Sequence, residues 1–102
     1  MATREDSLKA AQSALQSGDF ARGLTLCSDL LADEDTEALY IAAVASRYLT
    51  RHDEAAAYLA RLHAVSPEYG RAWQEEGHLA SARGDAAHAL TAFTRATRFN
   101  PA

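Results

Sequence analysis

Four histidines, a single cysteine and two neighbouring carboxylates are the residues through which this 102-residue sequence could do chemistry. Zinc needs ligands that converge, typically two histidines one helical turn apart as in His-Glu-x-x-His. His52, His63, His78 and His88 contain no such pair, and His52, His63 and His88 fall at turns or helix ends, where surface histidines are common. Glu75 and Glu76 are adjacent, so on a helix they point to different sides and do not flank one bond as a general acid and base. The run Asp33-Glu34-Asp35 is too short for calcium, which takes about six to eight oxygens from a longer spacing. Cys27 lies in the apolar run Leu24-Thr-Leu-Cys-Ser-Asp-Leu-Leu, without a second cysteine or a nearby histidine, and reads as a small core residue. With no Gly-rich phosphate loop either, the sequence predicts no catalytic, cofactor-binding or metal-binding residue and no enzyme activity in this segment.

The elements that carry these residues are helical. Hydrophobic residues make up 48% and charged residues 24%, the balance of a folded globular domain. The chain is rich in Ala and Leu and has only two prolines, so helix propensities lean one way and the fold class is all-α. A net charge of −4 gives no pull toward phosphate backbones or anionic lipid, which argues against nucleic-acid and membrane partners. No apolar run approaches the roughly 20 residues of a membrane span, and the start Met-Ala-Thr-Arg-Glu-Asp lacks the order of a signal peptide. A cytoplasmic location is the expectation.

The chain also repeats. Sliding it along itself until Leu39 meets Trp73 also aligns Ala55 with Ala89, Leu59 with Phe93, Arg61 with Arg95, Val65 with Phe99 and Pro67 with Pro101. A period of roughly 34 residues holds two helices and two turns, and each unit must bury its apolar face on a neighbour. The first unit spans about residues 4–35, with helices Arg4 to Ser17 and Phe20 to about Ala32 around the turn Gly18-Asp19. In the second, about 36–69, Thr36 is expected to cap a helix to about Thr50 and Asp53 a helix to about Val65. In the third, about 70–102, Pro67 opens a helix behind Ser66 that runs to Gly84-Asp85, and Asp85 caps a last helix from Ala86 to about Phe99, ended by Pro101. Six antiparallel helices result. To keep register the first unit must lose two residues in the acidic loop.

The last unit resembles a tetratricopeptide repeat. Trp73, Gly77, Ala89, Phe93, Ala96 and Pro101 occupy six of the eight positions of that family's loose pattern, and Gly84-Asp85 supplies its turn. The middle unit matches through Ala43, Ala55, Leu59, Leu62 and Pro67, and the first through Ala11, Ala14, Gly23, Cys27 and Leu30. The resemblance implies a right-handed α-solenoid of three helix-turn-helix units in a single domain, with Trp73 and Phe93 filling space around a close approach of helices at Gly77 and Ala89. Trp73→Ala is then expected to cost about 3–5 kcal/mol. Glu76 and Ala80 stand where the pattern prefers Leu and Tyr, so Glu76 is expected to pair with an arginine or to turn partly to solvent.

For function the resemblance implies a protein-binding scaffold whose concave groove, lined by the first helix of each unit, takes a peptide or protein partner. The family's groove positions fall on Leu8, Gln12 and Gln16, on Tyr40, Val44, Arg47 and Tyr48, and on Gln74, His78 and Ser81. Leu8, Val44 and Tyr48 could equally pack in the core. The Lys, Asn and Arg set with which some members hold chaperone C-termini is replaced by Leu8, Gln12, Ile41, Gln74 and His78, which argues against that activity. An alternative is an N-terminal or regulatory module of a larger protein, since the sequence stops at Asn100-Pro101-Ala102 where a further repeat or capping helix is expected. The stretch Arg71-Ala-Trp-Gln-Glu-Glu-Gly-His-Leu resembles the repeats of bacterial tetratricopeptide sulfotransferases, whose activity would lie outside these residues. An open apolar face at Leu79, Leu90 and Phe93 would also favour a homodimer through the last repeat.

Overall fold

Six helices follow one another through short turns: α1 Arg4–Gln16, α2 Phe20–Leu31, α3 Thr36–Tyr48, α4 His52–Val65, α5 Gly70–Ala82 and α6 Ala86–Phe99. The computed structural model describes residues 3–100, and among these there is no strand. Pro101, expected to end the last helix, lies outside them. Side-chain caps start four of the helices. Thr3 and Asp6 form a reciprocal capping box on α1, and Asp19, Asp35 and Asp85 each accept a bond from the backbone N–H three residues on.

Three helix starts differ from the sequence expectation. Asp35, not Thr36, caps α3, because its carboxylate reaches the Ala38 N–H at 3.1 Å. Asp53 lies inside the first turn of α4 behind Arg51, which makes no side-chain cap bond. Helix α5 begins at Gly70 rather than at Pro67, since Ser66 to Tyr69 close a turn through the Tyr69 N–H and the Ser66 carbonyl. The Trp73 indole N–H donates to the Pro67 carbonyl at 2.9 Å and holds that turn.

The helices repeat in register. Helices α3 and α5 begin at Thr36 and Gly70, and α4 and α6 at His52 and Ala86, so both members of the second hairpin stand at one common offset from those of the third. Helices α1 and α2 begin at Arg4 and Phe20, also at a common offset from α3 and α4, but one that is shorter by two. The missing two fall at the end of α2, which has 12 residues against 14 in α4 and α6. The turn inside each hairpin carries the same backbone: Gly18, Thr50 and Gly84 have φ of 80°, 59° and 78°. Glycine takes that left-handed conformation freely, whereas a β-branched threonine is strained there. Thr50→Gly together with Arg51→Asp, which copies the flanking Gly-Asp turns and supplies the missing cap, is expected to raise stability by about 2 kcal/mol. Urea denaturation would read the gain, and an unchanged midpoint would refute it.

Packing follows the same repeat. Helix pairs α1/α2, α3/α4 and α5/α6 form hairpins, and α2 and α4 lie on the next hairpin's first helix. Helix α1 also packs on α3 and α3 on α5, whereas the backbones of α2, α4 and α6 stay further apart, α4 meeting α2 through side chains such as Arg61, whose Nη2 donates to the Leu31 carbonyl. The first helices therefore form one contiguous layer. Two buried clusters meet at α3: Leu39 and Ala43 join Ala55, Leu59, Leu62, Ala72 and Leu79, while Ala38, Ile41 and Ala42 join Leu8, Ala11 and Cys27. Among the described residues the stack measures 44 × 25 × 24 Å along its principal axes.

At one pair of equivalent repeat positions, Ala11 and Cys27 share one buried cluster, Ala43 and Leu59 share the other, and Gly77 lies against Phe93. In the third hairpin the second member is largest and the first has shrunk to glycine, and a Cβ on Gly77 would stand 2.5 Å from Phe93 Cε1. Gly77→Ala is expected to destabilise by about 1–2 kcal/mol, overpacking outweighing the gain in helix propensity. Adding Phe93→Leu, which recreates the Ala43/Leu59 pair, should recover most of that loss. A Gly77→Ala variant as stable as the parent would show that the ring moves aside without cost.

Candidate functional site

The residues with chemical potential are mostly consumed by structure. Cys27 is fully buried, its Sγ against the carbonyls of Leu24 and Ala38, and burial pushes its thiol up to about 11, so it stays protonated and inert near neutrality. Among the described residues no group of three or more His, Cys, Asp or Glu could hold a metal ion. His63 is half-buried, stacked on Trp73 with ring centroids 3.8 Å apart.

The two adjacent glutamates take different roles. Glu76 is half-buried and bound on both oxygens by imidazoles, His63 Nε2 at 2.8 Å and His88 Nε2 at 3.0 Å. Its partners are two histidines and no arginine, and with 21% of its side chain exposed it also turns partly to solvent, the other arm of the expectation. The two histidines lie on α4 and α6, so the carboxylate ties α5 to both neighbours. The hydrogen bond from His63 lowers the Glu76 pKa below the ordinary 4.5 despite opposing burial. A lowered carboxylate stabilises the fold above its unfolded pKa, and that contribution fades as pH falls through the folded value. Glu76→Gln should therefore be less stable than the parent at pH 6, and the gap should close as the pH drops below 4.5. A gap independent of pH would mean that the charge is not what matters.

Glu75, one residue earlier, is the buried carboxylate, with 3% of its side chain exposed. Arg47 grips it with two bonds, Nε to Oε2 and Nη2 to Oε1, the latter at 3.1 Å. The guanidinium also lies 4.4 Å from the Tyr48 ring centroid, and Tyr48 stacks flat on Phe20 at 4.5 Å. This column links all three hairpins. Nothing in the sequence singled out the pair, because residues 28 apart in different helices reveal no contact by spacing.

The layer of α1, α3 and α5 carries the remaining surface of interest. A cavity of about 370 Å³ there is lined by Gln12, Leu15 and Gln16 from α1, by Glu37, Tyr40, Ile41 and Val44 from α3, and by Tyr69 and Arg71 at the start of α5. Tyr40 and Tyr69 meet edge to face, with centroids 6.0 Å apart, and the Arg71 guanidinium lies 4.5 Å from the Tyr40 centroid. Of the sequence-derived groove residues, Gln12, Gln16, Tyr40 and Val44 come together here. Leu8 is core. Arg47 and Tyr48 belong to the column with Glu75 and Phe20. Gln74 borders a separate depression beside Phe93, Ala96 and Asn100, His78 sets its ring edge to Phe93 at 5.2 Å, and Ser81 is exposed near the end of α5.

Leu15, Glu37, Tyr69 and Arg71 were not named as groove residues from sequence, and Ile41 was named only as standing at a clamp position along it. Glu37 and Arg71 occupy the same position in successive repeats, each the second residue of its hairpin's first helix, and that periodicity could have found them. Tyr69 was hidden by the expectation of a helix from Pro67. As the residue before α5, it swings against Tyr40 instead. The cavity offers amide, phenol and guanidinium donors and the Glu37 carboxylate beside aliphatic side chains, a mixture that suits binding. The sequence matches no family model and no curated protein sequence.

Proposed function

We propose that this chain is a tetratricopeptide-type scaffold, a right-handed stack of three helical hairpins that holds an extended segment of a protein partner across the layer formed by α1, α3 and α5. The observation that carries the reading is the asymmetry of packing, in which the backbones of the hairpins' first helices approach one another closely while those of the second helices stay further apart and α4 reaches α2 through the Arg61 side chain. A stack narrower on one side curves about that side, so the α1/α3/α5 layer is the concave one. Its cavity combines two tyrosines and an arginine, the residue types that carry most binding energy at interfaces. On this reading the chain has no catalysis of its own. No helix among the described residues is long and apolar enough to cross a membrane, which is compatible with the cytoplasmic location proposed.

Titration of the isotope-labelled chain with peptides selected against it tests the proposal. Amide shifts are expected at Gln12, Gln16, Tyr40 and Val44. Shifts confined to the outer residues of α2 and α4, such as Thr25, Ala57 and Ala60, would refute it. One observation favours an additional contact: Leu90 on α6 is 70% exposed, on the face equivalent to the one by which α4 receives α5. We place a second copy of the chain there, or the rest of a larger protein, and light scattering over a concentration series separates the two.

A further inference from the structure

Two arginines lie along the proposed concave layer, and they differ in one respect. Arg47 is neutralised by Glu75, both of its bonding edges taken by the buried carboxylate. Arg71 makes no ion pair among the described residues; its guanidinium lies over the Tyr40 ring beside Tyr69, on the wall of the cavity. Contact with the two tyrosines restrains the guanidinium, and an exposed guanidinium that no carboxylate neutralises takes an acidic side chain through charge-assisted bonds. The amides of Gln12 and Gln16, on the opposite wall, are neutral and suit a peptide backbone.

Resting on the scaffold reading above, we propose that the cavity recognises an extended partner segment through one internal Asp or Glu side chain, seated on Arg71 between Tyr40 and Tyr69. Glu37, exposed at the same position one repeat earlier, repels a second acidic residue and so sets where along the segment the acid falls. The acid is internal rather than a chain end because the surface continues past it. Tyr69 also borders a further depression with Pro67 and Phe99, over which the segment runs on.

Phage-displayed random peptides, fused at their C-termini so that none presents a free carboxylate, would be selected on the immobilised full chain. Selected sequences are expected to share an Asp or Glu at one position, and the amidated synthetic peptide should bind Arg71→Glu at least about tenfold more weakly, with Arg71→Lys between the two. Arg71 is exposed, so both variants should keep the parent's circular dichroism and urea midpoint. Peptides selected without a shared acid, or bound equally by Arg71→Glu, would overturn the assignment while leaving the scaffold intact. Binding only of peptides with a free C-terminal carboxylate would overturn it in favour of chain-end recognition. Recovery of no binding peptide at all would sink the scaffold reading together with it.

Discussion

Arg47→Ala is expected to destabilise the fold by about 3–5 kcal/mol at neutral pH, because it strands a buried carboxylate without its cation. Glu75 has 3% of its side chain exposed and takes two bonds from Arg47. The size of the loss reflects the abandoned partner more than the value of the ion pair itself, since burying both charges costs about as much as their attraction returns. Two consequences separate these contributions. Glu75→Leu placed on the Arg47→Ala background should restore most of the stability, since neither charge is then left unpaired. In the single variant the stranded carboxylate is costly only while it is charged, so the loss should shrink as acid neutralises it. Urea midpoints at pH 7 and pH 5 would read both effects. An Arg47→Ala loss below about 1 kcal/mol, or a double variant no better than the single, would mean that water reaches Glu75 freely.

Leu59→Ala should cost about 3–4 kcal/mol, more than Trp73→Ala, although the sequence pattern makes Trp73 the signature residue. Leu59 is 1% exposed in the cluster where α3, α4 and α5 meet, and its removal leaves a cavity between helices held by Ala43 and Ala55. Trp73 is only partly buried. Its indole lies between the His63 ring and the Arg95 guanidinium, 4.7 Å from the centroid, and hands its N–H to the Pro67 carbonyl. Losing that partial burial and one hydrogen bond amounts to about 2 kcal/mol, below the 3–5 kcal/mol expected of a fully buried tryptophan. Denaturation of the two variants side by side gives the order. A Trp73→Ala variant less stable than Leu59→Ala would place the main core on the other side of α5.

By itself the sequence determined the number, type and order of the helices. The signals are local: Asp85 as a cap, Gly18-Asp19 and Gly84-Asp85 as turns, and apolar residues spaced to one face. It also determined the period, including the two residues missing near the acidic loop, because units that bury their faces on one another must repeat the small residues at each close approach. Tertiary structure alone decided which charges meet. That Glu75 rather than Glu76 is buried, that Arg47 is spent on it while Arg71 makes no ion pair among the described residues, and that His63 and His88 close on Glu76 depend on angles between helices far apart in the chain. The same holds for the cavity. Gln12, Gln16, Tyr40 and Val44 could be named beforehand because the groove positions of the resembled repeat fall on them, whereas Tyr69 joined the cavity through a turn that the bond between Trp73 and Pro67 holds.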